Sequence, residues 1–256
     1  MATHPSDTRP WRAAGALTGL ALPVIALAVA VPARSSARAT GADPLPAVAA
    51  ALARARSYQA AISAVSTGPA GAVTVAGTVV VVRAGGVERS ETTLTTTLPS
   101  GRRVVAQILA SGGRVCTRRA TAGPYACARP SAVAAAALNL DADPSRAFRG
   151  AEAALVFTRV GARRVGGQTC DVYAFTVALP ALIRQRTPGA GSAAARGVLA
   201  IAPATGRPCR EDQTLTLATP GVGRTSTTTT RTTTTWSRFD NARLRVPPVP
   251  GASGAR

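Results

Sequence analysis

Beyond Gly68-Pro69 the chain is written in period two. Val73, Val75, Val79 and Val81 share one parity and Thr74, Ala76 and Thr78 take the other, the pattern of a half-buried strand. The same alternation predicts strands over 87–98, where Leu94 and Leu98 interleave with threonines, over 103–110 and over 114–119, with a short partner around Tyr125–Ala128. Further strands are predicted near Leu155–Val160, at Cys170–Val177, at 197–202, from Cys209 to Leu217, and through the threonine run 225–235 that ends at Trp236, an exposed strand expected beside Thr92–Thr97. Short turns such as Gly112-Gly113, Gly166-Gly167 and Pro203-Ala204-Thr205-Gly206 separate neighbours, so consecutive strands should pair antiparallel. Antiparallel meanders are incompatible with a doubly wound parallel sheet.

Three helices interrupt the strands. Asp43 precedes Pro44, and Leu45, Val48, Leu52 and Ala55 recur at helical spacing, which predicts a helix of about a dozen residues running to near Ser57. Pro130 opens the alanine-rich segment SAVAAAALNL, stopped by Asp141–Pro144, and Pro180 opens a short one, ALIRQR. The fold class is therefore α+β: one curved antiparallel sheet covered by helices. The closing segment RVPPVPGASGAR reads as an extended tail with nothing to pack.

Residues 13–33 carry no charge, follow a polar stretch containing Arg9 and Arg12, and are broken by Pro23. This is the layout of a secretory signal, with small residues offering cleavage after Ala33 or Ala39; a retained membrane anchor is the alternative. Residues 1–39 are assigned to it, 40–248 to a single domain and 249–256 to a flexible tail. Either outcome places the domain outside the cytoplasm, secreted or membrane-anchored. No cysteine lies near the end of the apolar run to accept a lipid.

Composition removes several chemistries. Every basic residue is arginine, and the only His and Met are His4 and Met1, so the exported part has no general-base histidine, no Schiff-base lysine and no histidine ligand for zinc or iron. Residues 40–256 hold 26 arginines against 10 acids. The doublets Arg102-Arg103, Arg118-Arg119 and Arg163-Arg164 read as solvated rims, with an anionic membrane surface as their second reading. Nucleic acid is excluded as a partner by the exported address and the thin aromatic complement. The acid pairs Asp141/Asp143 and Glu211/Asp212 are placed in a turn and on a surface strand, with no apolar setting to shift a pKa. No catalytic residue, metal site or cofactor is expected, and the chain is not read as an enzyme.

The helix ending at Ser57-Tyr58, the uninterrupted meander, GARRVGGQTCDVYAFTV, the turn APATGRPCR and the last strand leading through WSRFDNARLRVPP form a characteristic order. Over about residues 45 to 248 it resembles the LolA/LprG-like lipoprotein-carrier superfamily, which includes LppX-type lipoproteins and the amino-terminal domain of RseB. The most specific pieces are Gly161…Gly166-Gly167…Cys170…Tyr173, Pro203…Gly206…Pro208 and Phe239-Asp240-Asn241. The resemblance implies an unclosed antiparallel half-barrel, lidded by helices on its concave side, around an apolar cavity for acyl chains. Val79, Val81, Leu94, Val104, Ile108, Phe157, Phe175 and Leu182 would line that cavity. The function it implies is an extracytoplasmic binding protein for a lipid or other apolar ligand; the alternative is an RseB-like sensor or interaction domain that meets an envelope protein partner instead.

The four cysteines, Cys116, Cys127, Cys170 and Cys209, permit three pairings. The strand map selects one. Cys116 and Cys127 lie on presumed hairpin partners, and Cys170 and Cys209 open strands that can lie side by side.

Overall fold

The computed structural model describes residues 43–119, 122–129, 155–178, 192–220 and 225–250. They form one helix, α1 (Leu45–Arg54), and eleven strands. These are β1 (Ser57–Gly68), β2 (Gly71–Ala84), β3 (Val87–Thr97), β4 (Arg103–Ser111), β5 (Arg114–Arg119), β6 (Ala126–Ala128), β7 (Leu155–Val165), β8 (Gln168–Ala178), β9 (Ser192–Ile201), β10 (Pro208–Pro220) and β11 (Thr225–Ser237). The predicted signal segment and the two later helices, with Leu182, lie outside the described residues.

All strands belong to a single antiparallel sheet in the order β6-β5-β4-β3-β2-β1-β11-β10-β9-β8-β7. Two meanders, β1–β6 and β7–β11, are joined along β1 and β11, and β6 and β7 remain as separate edges. The sheet is an unclosed, curved half-barrel. Glycines ease its curvature. A Cβ at Gly77 would stand 2.1 Å from the Thr93 carbonyl oxygen, and one at Gly197 would stand 2.2 Å from that of Asp212. Leu94 and Phe175, their register partners, lean over the vacated space.

Three expectations need correction. Residues 57–68 form β1, the strand that joins the two meanders, and α1 stops earlier than its apolar spacing suggested. It stops because Arg83 on β2 donates to the carbonyls of Leu52 and Ala55 at 2.6 and 2.9 Å, capping the helix from outside. At the other end the Asp43 carboxylate accepts the Leu45 N–H at 2.9 Å. The threonine run does not pair with Thr92–Thr97; it is β11, bonded to β1 and β10 deep inside the sheet. The closing segment does pack: Leu244, Val246 and Val249 are buried, the last two against Leu109 and Cys116 on the convex face.

The Phe239-Asp240-Asn241 piece is a clasp. Asp240 accepts the Arg56 N–H at 2.8 Å and pairs with Arg207, its own N–H reaches Ser57 O at 2.8 Å, and Ser57 Oγ donates to Asn241 O at 3.1 Å. Arg207 lies over the Phe239 ring at 4.9 Å and Tyr58 faces the same ring at 5.9 Å. The start of β1 is thereby tied to the end of β11. Both disulfides join strands: Cys116–Cys127 links directly opposed residues of β5 and β6, while Cys170–Cys209 links β8 to β10, which do not lie side by side as expected but flank β9, with Cα–Cα separations of 4.0 and 6.7 Å.

Candidate functional site: the concave face

Register defines which side chains share a face, because neighbours along a strand alternate and direct partners across strands do not. One row runs Ile108, Thr92, Val79, Ala60, Trp236 from β4 to β11. The next runs Ala106, Leu94, Gly77, Ile62, Thr234, Glu211, Leu199, Tyr173 from β4 to β8. A third runs Val104, Thr96, Val75, Ala64, Thr232, Gln213, Gly197, Phe175, Phe157 from β4 to β7. Val81, two residues beyond Val79, keeps the same parity. All seven described candidates for the cavity wall therefore face one side.

They do not form one cluster. Val79, Val81, Phe157 and Phe175 pack with Leu45, Val48 and Leu52 of α1, Tyr58 and Trp236 into the main core. Phe157 and Phe175 stack at 5.7 Å between ring centres. Leu94 belongs to a separate group with Ala64 and Val75. Val104 and Ile108 join neither of these clusters among the described residues. The helix packs into the β1, β2, β7–β9 and β11 part of the face, and the candidates on β3 and β4 lie outside that cluster, though Leu94 and Ile108 are themselves buried. A hollow of about 420 Å³ opens at the end of that part, between the β2–β3 and β4–β5 hairpin tips, with Ser90 and Ala110 on its wall. Those two are register partners next to Val81.

The face also holds polar groups. Ser66, Ser90, Thr92, Glu211, Thr230 and Thr234 are all buried on it, and Thr230 Oγ1 and Ser66 Oγ hydrogen-bond at 3.1 Å. Glu211 corrects the expectation of a solvated surface acid. It is only 8% exposed, and its pKa is pushed up to about 7, first by burial and then by the charge of Asp212. Asp212, on the other parity, behaves oppositely. Burial raises its pKa, but hydrogen bonds from Arg210, Thr233 and Arg163 outweigh that and hold it below the usual carboxylate range. The signal for Glu211 was present in the sequence. Counting back by twos from the apolar Leu217 and Leu215 reaches Gln213 and then Glu211.

The arginine doublets do not act as pairs. Arg118 and Arg119 sit opposite Gln107 and Ala106, so they point to opposite faces; Arg118 donates to Gln107 at 2.6 Å and covers the Tyr125 ring at 4.5 Å. Arg163 bonds Asp212 at 3.2 Å while Arg164 bonds Gly167 O at 3.1 Å. Arg102 is in the turn before β4, where its carbonyl accepts the Leu98 N–H. Among the described residues no helix is long and apolar enough to cross a membrane, and no three His, Cys, Asp or Glu side chains gather as metal donors.

No protein-family model and no curated protein matches the chain. Among solved structures it is similar to the lipoprotein LppX of Mycobacterium tuberculosis, at 13% identity over 78% of this chain and 95% of that one, with a TM-score of 0.44. It is similar to LprF from Mycobacterium bovis, at 16% identity over 80% and 94%, TM-score 0.41. It is also similar to a chain of the Pseudomonas aeruginosa MucA/MucB complex, at 16% identity over 77% of this chain and 54% of that one, TM-score 0.35. At such identities and TM-scores the likenesses assign no residue of this chain a role.

Proposed function

We propose that the chain is an extracytoplasmic, non-catalytic binding protein that holds the acyl chain of a lipid on the concave face of its half-barrel. The observation that carries this reading is the division of that face. Half of its apolar lining is closed by α1 into a core, and the other half, with Leu94, Val104 and Ile108, continues beyond the helix. Leu94 and Ile108 are buried yet stand outside that core, so the apolar lining extends past what α1 packs against. The two disulfides fit an oxidising compartment.

Native mass spectrometry with lipid extraction of the purified mature domain tests the reading, a stoichiometric bound lipid being the expected result. Ile108→Arg places a charge in the part of the face beyond α1 and spares the core beneath the helix. This variant should fold and lose bound lipid. A wild-type protein that is consistently empty would favour docking of an envelope protein partner on this face instead, and unchanged lipid in Ile108→Arg would remove β4 from the site.

A further inference from the structure

Four polar side chains stand together in the middle of the concave face. Glu211 and Gln213 on β10 are direct partners of Thr234 and Thr232 on β11. Leu199 and Gly197 flank them on one side, Ile62 and Ala64 on the other. Glu211 and Thr234 are buried, while Gln213 and Thr232 are half-buried and form the accessible side of the group. This is an unusual place for four polar residues, because the same positions on the neighbouring strands are apolar or glycine, and a packed core gains nothing from an interrupted floor.

We infer that this quartet seats the polar group of the bound amphiphile, and that the group is neutral and rich in hydroxyl, ester or amide functions. The inference rests on the concave-face binding proposed above and adds the chemistry of the ligand. Threonine and glutamine each donate and accept hydrogen bonds, which suits a partner that also does both. No arginine shares these two rows between β4 and β8, whereas arginines hold Asp212 on the opposite face. Among the described residues a phosphate or carboxylate would find the Glu211 carboxyl at this position, the arginines of its row, Arg119 and Arg159, standing only at the β5 and β7 ends. The geometry fits a chain with its head here. Leu94 lies in the same row as Glu211, four strand spacings away, which is about 19 Å at the usual interstrand distance and comparable to an extended acyl chain. The lane between them is floored by Ile62 and Gly77.

The test is displacement of the neutral dye N-phenyl-1-naphthylamine from the purified domain by 1-monooleoylglycerol, by oleate and by dioleoylphosphatidylglycerol. Monooleoylglycerol should displace the dye at about tenfold lower concentration than either anion, the worth of one to two hydrogen bonds. Gln213→Leu combined with Thr232→Val should bring the three lipids to equal potency, and the near-isosteric Thr232→Val alone should move them part of the way. Near-ultraviolet circular dichroism checks that each variant is folded. Equal potency of the three lipids on the wild-type protein, or a preference that survives the double substitution, would overturn the inference and leave acyl-chain binding standing. Failure of the wild-type protein to take up the dye or any of the lipids would overturn both.

Discussion

Glu211 and Asp212 are adjacent in sequence, and the alternation of the strand gives them opposite fates. Burial first and the charge of Asp212 second raise the Glu211 pKa to about 7. A raised pKa means that the folded state binds the proton more tightly than the unfolded chain. The contribution of Glu211 to stability is then complete below its unfolded pKa and is lost as pH climbs through 7. The loss amounts to about 3 kcal/mol across that window. Urea unfolding should therefore show the protein less stable at about pH 8 than at about pH 5, and Glu211→Gln should flatten most of that difference. An unchanged slope in the variant would mean that Glu211 is not held neutral in the fold. Asp212 and Asp240 act in a separate, lower window. Their depressed values, Asp240's set chiefly by the Arg56 N–H, stabilise the fold above the ordinary carboxylate range and fail as pH falls below it. The carboxylate pair looked solvated in the sequence because Arg210 stands beside it. Only the parity of Leu215 and Leu217 separates the inward acid from the outward one.

Strands whose two faces differ strongly were legible, and strands whose faces resemble each other were not. The valines of β2 alternate with threonine and alanine, and the observed strand extends the predicted one by a few residues at each end. In β1 the inward residues are Tyr58, Ala60, Ile62 and Ala64, and the outward ones include Ala61 and Val65, the latter 41% exposed. Alanine on both faces erases the alternation, and partnership with β11, more than 160 residues away, is supplied by the assembled sheet alone. The closing segment hides its packing for a related reason: Leu244, Val246 and Val249 are buried but belong to no strand, and Val246 and Val249 pack against Leu109 and Cys116 on the convex face. Glycines within strands carry a prediction at this scale. Gly197 faces Phe175, and an added Cβ would meet Asp212 O at 2.2 Å and Phe175 Cζ at 2.8 Å. The ring can swing but the β10 backbone cannot move without breaking its ladder. Gly197→Ala should cost about 1–3 kcal/mol in chemical unfolding and displace the ring that closes the core beneath α1. A cost near zero would show that the sheet is flatter there than its register implies.

Across the whole molecule the two faces of the sheet divide the chemistry. The concave face gathers the apolar rows and the buried hydroxyls, and the convex face carries a large share of the arginines. Arg196 and Arg231 are both exposed and both direct partners of Thr214, so two cations flank one central threonine on adjacent strands. Arg210 and Arg163 surround Asp212 a short way along the same face. In the sequence the basicity reads as doublets, but a strand doublet splits between faces, and the cross-strand row is the unit that can present like charges together. An anionic bilayer is the matching surface for such a row. Association with vesicles containing phosphatidylglycerol should fall steeply with added salt, since exposed charges are screened beyond about 8 Å at physiological ionic strength. Replacing both residues, Arg196→Gln with Arg231→Gln, should weaken low-salt association by about 2 kcal/mol, roughly thirtyfold, at about 1 kcal/mol for each cation near the surface. The midpoint of thermal unfolding should hardly move, because neither side chain supports the core. Vesicle sedimentation across a salt series measures both effects. Association that ignores salt, or that survives the double substitution, would leave these arginines as solubilising charge and turn the search for a membrane contact to the hairpin tips.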